Sequence, residues 1–381
     1  MKNKVIIIGA GISSFGGKPS ALIEIDHKKN ILDLLLESIS IIPDPDIHFV
    51  GGYRGDDIIG QYPDLKYHLN EDWDKTGSLS SLLKVPFRRD ENIYIFYADI
   101  LIEKKHVKKI LDTSSNIAIL GIKDEFINNH HSNRNHEYIL PKKQKNFYSI
   151  GFSQKPKKNS LRFGGVLKLS KFSTREIIKI KKNALKDKDS IIDLLSFFSK
   201  KNSLELVSIP SQGWREYYGP DGLAKFLLGT KAETLLKLKP ILKKSKIKNV
   251  FFFTVEDWNR SSQNLLKEIK QKTKGKEIII RSSSLNEDGW KKSNAGRFES
   301  ILNVNSQDPE EVKSSVESVI KSYGIDKNKN DQILIQEMIS DVKCSGVAFT
   351  RTADKGSPFY LINYDLSNAT DSVTSGTGKD L

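Results

Sequence analysis

Residues 278–284 read Ile278-Ile279-Ile280-Arg281-Ser282-Ser283-Ser284. A short apolar run bounded by small polar residues is a buried strand, and this one carries an arginine where the run ends. Val250 to Thr254 reads as a second buried strand, and Ile333 to Met338 and Gly346 to Thr350 as two adjacent strands. Between them the spacing predicts helices over Lys231 to Leu242, Ser261 to Gln271, and from Pro309 onward, the last with Asp308 as N-cap. From about residue 225 the chain therefore reads as an α+β domain.

Working outward to the N-terminus, the pattern changes. Val5-Ile6-Ile7-Ile8 is a buried strand, Gly9-Ala10-Gly11-Ile12-Ser13-Ser14-Phe15-Gly16-Gly17 a glycine-rich loop, and Ile31 to Ile39 a helix. His48 to Gly52 and Ile93 to Asp99 add strands, the latter ending on a carboxylate, and Gly164 to Leu169 another. Alternating strands and helices predict a parallel α/β sheet with ligands at the strand C-termini. Backbone N–H groups of the loop and a helix N-terminus would then face phosphate. The polar stretch 123–161, with His130 and His131, reads as a surface excursion rather than a metal site. The soft boundary near 225 divides the chain into 1–224 and 225–381.

The 381 residues correspond to about two or three domains, and 38% hydrophobic with 28% charged residues exclude a fibrous or wholly disordered chain. Sixty-one basic against 47 acidic residues leave +14, an excess that invites polyanions. One cysteine, Cys344, removes any disulfide framework or cysteine-rich metal site and fits a reducing compartment. No stretch reaches the roughly 20 apolar residues of a membrane span, so no membrane association and a cytoplasmic location are expected. The Lys-rich stretches 179–188 and 243–248 come without a helix-turn-helix, RNA-binding or zinc-finger pattern, so nucleic acid is not the expected partner. The chain stops at Ser375-Gly376-Thr377-Gly378-Lys379-Asp380-Leu381, directly after a strand-like run, which is the expectation for a fragment with its second domain truncated.

Four blocks in the second region resemble the ATP-grasp domain of the phosphoenolpyruvate synthase and pyruvate phosphate dikinase family. They are Leu228-Gly229-Thr230-Lys231-Ala232-Glu233-Thr234-Leu235; Arg281-Ser282-Ser283 with Glu287-Asp288 and Asn294-Ala295-Gly296-Arg297-Phe298-Glu299 to Val304; Ile333 to Ile339; and Gly346 to Arg351 with Leu361 to Tyr364. The resemblance implies that Lys231 and Arg281 act catalytically on the triphosphate, an arginine fork meeting phosphate oxygens in pairs. It further implies that Ser282, Ala295, Gly296, Glu299, Gln336, Glu337 and Met338 line the ATP site, with Mg2+ as cofactor and Asp365 and Asp371 as candidate ligands. Family enzymes phosphorylate a histidine on a swivelling domain, which then serves a small-molecule acceptor. None of the seven histidines lies in the second region, so that domain is expected elsewhere in the full-length chain.

The first region resembles the sugar-1-phosphate and alcohol-phosphate nucleotidyltransferases, whose GT-A-like, Rossmann-like fold it implies. Gly9, Gly11, Lys18, Asn70, Ser78 and Asp99 are the matching site residues, Asp99 as a metal ligand. The expected arginine between Ser14 and Phe15 is absent, Ser20 replaces a second lysine, and Tyr218 stands where a second metal-binding Asp is expected. Such losses predict a degenerate, substrate-binding or structural domain. The layout is similar to that of bacterial capsule L-glutamine kinase, which makes L-glutamine a candidate acceptor; a cytidylyl- or uridylyltransferase and pyruvate, water dikinase proper are the alternatives.

Overall fold

The computed structural model describes residues 3–12, 17–26, 28–88, 91–123, 137–143, 148–153, 157, 159–180, 189–200, 204–217, 219–284, 298–324, 328–352, 355–366 and 373. The chain divides into two compact units, Met1–Leu227 and Leu228–Leu381. In the first, chain order runs β1 (Asn3–Ile8), β2 (Glu24–Asp26), β3 (Lys29–Asn30), α1 (Ile31–Ile39), β4 (Pro45–Gly51), α2 (Gly55–Gln61), β5 (Lys66–Leu69), α3 (Ser78–Leu82) and β6 (Asn92–Tyr97). It continues with β7 (Ile100–Ile102), α4 (Lys104–Leu111), β8 (Ile117–Lys123), β9 (Tyr138–Lys143), β10 (Tyr148–Ser153), β11 (Leu161–Leu169), α5 (Lys171–Ile180), α6 (Ile191–Lys200), β12 (Leu204–Pro210), β13 (Trp214–Glu216) and α7 (Pro220–Leu228).

The main sheet has the order β10-β9-β11-β6-β1-β4-β5, with β8 joining β11 to β12. β1 pairs in parallel with β4 and β6, Ile8 lying opposite Val50 on one side and Tyr97 on the other. β5 extends the parallel set, whereas β11 runs antiparallel to β6. Val5 and Ile7 enter one core with Leu35, Ile39 and Phe49; Ile6 and Ile8 enter the opposite core with Leu79, Leu82 and Leu195. Burial on both faces is why the strand reads as an unbroken apolar run instead of alternating. Two expectations fail: the stretch 123–161 is not wholly a surface excursion, since β9 and β10 join the main sheet and Ile139 is buried, while His130 and His131 lie outside the described residues; and the glycine-rich loop does not lead into a helix. A 3-10 turn, Ser20–Leu22, and the β2–β3 hairpin intervene, and α1 is closed by a capping box between Asn30 and Asp33.

The second unit contains α8 (Lys231–Leu238), β14 (Val250–Thr254), α9 (Val255–Thr273), β15 (Glu277–Ser283), β16 (Ser300–Asn305), α10 (Pro309–Ser322), β17 (Gln332–Glu337), β18 (Ser345–Phe349) and β19 (Leu361–Asp365). β14-β17-β15-β16 form an antiparallel sheet. One face, with Ile278, Ile280, Ile333 and Ile335, packs on Trp258 and Ile269 of α9 and Val312, Val316 and Val319 of α10. The helix read from Ser261 starts earlier, at Val255, because Thr254 and Asp257 form a capping box; Ser261 itself sits at a kink (φ −157°, ψ 53°). α8 stops at Leu238, before Pro240, rather than at Leu242. β17 and β18 are not adjacent: both edges of β17 are taken, by β14 and β15, and β18 pairs with β19 in a separate hairpin. Among the described residues no helix is long and apolar enough to cross a membrane.

Candidate functional site

In the first unit the strand ends of β1 and β6 open into a cavity of about 370 Å³. Of the site residues read from the sequence, Gly9, Gly11, Ser78 and Asp99 line it, as does Ser20. Gly9 is there for packing: its N–H donates to the Val50 carbonyl (2.9 Å), and a Cβ would stand 2.6 Å from the Phe49 ring. Gly11 has open space around it. Lys18 is not on the cavity wall; its ammonium pairs with Glu24 at 2.7 Å on the surface. Asn70 is not on the wall either. Buried to 1% exposure, it donates to Thr76 Oγ1 (2.9 Å) and Ser81 Oγ (3.0 Å), bracing two residues that do line the cavity. Ser78 Oγ accepts from the Ile191 N–H (3.0 Å). Of the positions where the motif departs, Ser14, Phe15 and Tyr218 lie outside the described residues.

The site residues read from the sequence leave out other parts of the wall: Tyr97, Glu137, Arg162, Phe163, Trp214 and Glu216. The signal was Gly164-Gly165 inside a strand pattern. Gly165 has φ +68° at a register shift of β11 between Phe163 and Leu167, a bulge that re-aims the preceding side chains. The Gly164 carbonyl accepts from the Trp214 indole (2.9 Å), and the Arg162 guanidinium lies over that ring at 5.6 Å. Arg162 also forms an ion pair with Glu216. β13 carries Glu216 to the Asp99 end of β7, where the Tyr217 N–H donates to the Asp99 carbonyl (2.8 Å). Burial, with Glu216, Asp193 and Asp99 nearby, pushes the Glu137 carboxyl up to about 7, although Tyr97 donates to it at 3.3 Å. Burial likewise drives the Tyr97 phenol well above its ordinary range.

In the second unit, side chains alternate across the sheet. Ile278, Ile280 and Ser282 share the helix-packed face, which leaves Ile279, Arg281 and Ser283 on the other, where Arg281 opposes Leu334 and Ser300, and Ile279 opposes Gln336. A buried polar network holds the start of α8 to this second face. Ser283 Oγ accepts from the Ala232 N–H (3.0 Å), and Thr230 Oγ1 donates to Gln332 Oε1 (2.6 Å), which lies 3.4 Å from Ser283 Oγ. Gln332 Nε2 donates to Glu233 (3.1 Å). Tyr323 closes the network, its hydroxyl accepting from the Ser283 N–H (3.0 Å) and donating to the Gln332 carbonyl. Lys231 thus starts a helix anchored two residues from Arg281. The N–H groups of Ala232 and Glu233 are already taken by Ser283 and Thr230 hydroxyls, so the helix start is not an open phosphate cradle.

Arg281 Nε is buried and, among the described residues, has no hydrogen-bond partner. Arg281 and Gln336 thus share a face, whereas Ser282 and Glu337 do not: Ser282, 1% exposed, faces the core. Glu337 pairs with Lys276 (2.7 Å) and Lys248 (3.3 Å), which hold its carboxyl below the usual range. The Met338 N–H donates to the Glu277 carbonyl (2.9 Å), and Glu299 is exposed. Ala295, Gly296 and Asp371 lie outside the described residues. Asp365 is 9% exposed, and no group of three or more potential metal ligands occurs among the described residues.

Residues 254–373 match the family model of the pyruvate phosphate dikinase AMP/ATP-binding domain. No curated protein matches the chain. Similar solved structures include the inositol-1-phosphate CTP transferase from T. maritima, at 12% identity over 57% of this chain and 90% of that one, TM-score 0.44. The CTP:phosphocholine cytidylyltransferase from Streptococcus pneumoniae aligns at 14% identity over 59% and 97%, TM-score 0.44. A nucleoside-diphosphate-sugar pyrophosphorylase from Vibrio cholerae RC9 aligns at 13% identity over 59% and 99%, TM-score 0.41. The protein is accordingly of mixed α/β class, a Rossmann-like parallel-sheet unit followed by a unit that contains the match to an ATP-binding domain.

Proposed function

We propose that this chain is the ATP-binding part of a phosphotransferase of the dikinase type, with Arg281 and Lys231 as the residues that meet the triphosphate. The observation that carries the reading is the buried Nε of Arg281, without a hydrogen-bond partner among the described residues, on the sheet face to which the start of α8 is anchored. A buried N–H without a partner costs about 1–3 kcal/mol, and a bound phosphate oxygen would relieve it. The match over 254–373 points the same way. Gln336 belongs to this site, whereas Ser282 and Glu337 lie on the other face. ATP brings Mg2+ as its usual counter-ion, and no residue of the second unit is assigned to hold it. In the full-length protein phosphate would pass to a histidine of a swivelling domain and then to a small acceptor, L-glutamine being the first to test, in a cytoplasmic pathway of capsule or surface-glycan assembly.

Calorimetric titration of the chain with ATP, CTP and UTP tests the first step. ATP binding that Arg281→Ala abolishes supports it, and a folded chain that takes up no ATP refutes it. Full-length protein that releases no AMP and phosphate from ATP with L-glutamine removes glutamine as acceptor. A second reading, nucleotidyl transfer from CTP or UTP, is favoured by Asp99 and Glu216 sharing one cavity. It needs cations around the α-phosphate, and among the described wall residues only Arg162 is cationic. Pyrophosphate release that Asp99→Ala abolishes would establish it.

A further inference from the structure

We infer that the loop joining α8 to β14 docks on the surface of an anionic bilayer, its lysines meeting headgroups and its aliphatic side chains entering the boundary beneath them. The inference does not depend on the ATP-binding reading, because Ile241, Leu242, Lys243, Lys244 and Lys246 have no part in that site.

The charge of the loop comes first. Lys239-Pro240-Ile241-Leu242-Lys243-Lys244-Ser245-Lys246-Ile247-Lys248 holds five lysines, and no acid occurs between Glu233 and Glu256. A run of like charge is by itself only a solvated surface. Its placement adds more. Past the end of α8 the chain folds back on itself, the Ile241 and Leu242 N–H groups both donating to the Leu238 carbonyl (2.9 and 3.1 Å). The base of the loop is tied: Lys239 Nζ donates to Asn249 Oδ1 (2.9 Å), and Lys248 pairs with Glu337 (3.3 Å). Between those ties every residue except Ile247 is exposed. Lys243, Lys244 and Lys246 have no ion-pair or hydrogen-bond partner among the described residues. Glu337, the acid at the base, is already held between Lys248 and Lys276. Three ammonium groups therefore stand in one pinned loop, facing solvent and available to an anionic partner.

The apolar residues decide which partner. Ile241 is 67% exposed, and Leu236, Leu238 and Leu242 are 43%, 36% and 38% exposed. Nucleic acid is met by arginine forks on phosphate and by aromatic rings on bases, and neither arginine nor an aromatic residue occurs from 236 to 249. A bilayer surface uses what is present. Anionic headgroups attract the lysines, and aliphatic side chains gain by entering the boundary between headgroups and acyl chains. The long lysine stem follows the apolar residues inward while its ammonium group stays among the headgroups. No helix among the described residues can cross a membrane, so the contact is one of surface attachment.

The test is co-sedimentation of the whole chain with vesicles of pure phosphatidylcholine and of phosphatidylcholine mixed equally with phosphatidylglycerol. Binding is expected to the mixed vesicles alone, and to be lost as salt is raised from about 0.1 M to about 0.5 M, where the charges are screened over a shorter distance. Replacing the three free lysines together (Lys243→Gln, Lys244→Gln, Lys246→Gln) should weaken it roughly 10²-fold, about five-fold for each lysine. Ile241→Ser with Leu242→Ser should weaken it several-fold at unchanged charge. All five side chains are exposed, so both variants should keep the thermal transition of the parent. The inference is overturned by failure to bind the mixed vesicles, by equal binding to the neutral ones, by unchanged binding of either variant, or by tighter binding to single-stranded RNA or to polyglutamate than to the mixed vesicles.

Discussion

Replacing Arg281 with methionine should separate stability from binding by moving them in opposite directions. In the ligand-free protein Arg281 Nε is a buried donor with no partner among the described residues, and such a group costs about 1–3 kcal/mol. Methionine keeps an unbranched, adaptable side chain opposite Leu334 and Ser300 and carries no N–H. The variant should therefore be more stable than the parent by about 1–2 kcal/mol, allowing for some lost packing of the arginine stem. In a unit of this size that is a rise of roughly 2–8 °C in the midpoint of its transition. Binding moves the other way. A guanidinium fork on phosphate makes two charge-assisted hydrogen bonds, each worth about 1.5–3 kcal/mol, so ATP affinity should fall by roughly 10²- to 10⁴-fold. Scanning calorimetry with and without saturating ATP reads both effects: the parent should start lower and rise with ATP, the variant start higher and stay there. A variant that melts below the parent without ligand, or that keeps the ATP-induced rise, refutes the assignment of Arg281 as a residue held strained for phosphate.

Tyr323→Phe removes the hydroxyl joining Ser283 to Gln332 and leaves a buried N–H unpaired; chemical denaturation should show a loss of about 2–3 kcal/mol confined to the second unit. Gly165→Ala places a Cβ 3.0 Å from Ile100 Cγ2 at φ +68°, so the first unit should lose about 1–3 kcal/mol and Arg162 should lose its place against Trp214, visible as altered tryptophan emission. Glu137 titrates near 7 in the folded state against an ordinary value of 4.5, so the folded state binds the extra proton between those limits. Its contribution is fully present below about pH 4.5 and lost as pH rises through 7; Glu137→Gln should therefore gain on the parent by about 1–3 kcal/mol between pH 5 and 8 in paired melts, and equal pH profiles for the two would contradict the shift.

How far the sequence reached depends on the range of the interaction involved. Val5 to Ile8 and Ile278 to Ile280 announced themselves as strands because burial on both faces of one strand, or at the centre of a sheet, leaves an apolar run that needs no knowledge of neighbours. The cap at Asp308 is likewise local, reaching only to Glu310 and Glu311. Pairing is not local. Nothing in Gly346 to Thr350 tells that β17 already has two partners, so the hairpin with β19 could not be read from the strand itself. Lys18 and Asn70 are assigned by resemblance alone, yet one spends its charge on Glu24 and the other its amide on Thr76 and Ser81.

By itself, then, the sequence determined the class of the two regions and the strands that carry Ile8 and Arg281, both of which rest on periodicity and residue type within a few positions, although the strand of Arg281 runs on to Ser283 instead of ending at the arginine. Only the tertiary structure decided which groups share a site. Glu137, Arg162 and Glu216 lie far apart in the chain and meet because β9, β11 and β13 converge on the ends of β1 and β6, and their charges acquire meaning only in one another's field inside a partly enclosed cavity. The same holds for Arg281: that one of its nitrogens is buried without a partner among the described residues is a property of the face it shares with Ser283, set by pairing with β17, which no single segment encodes.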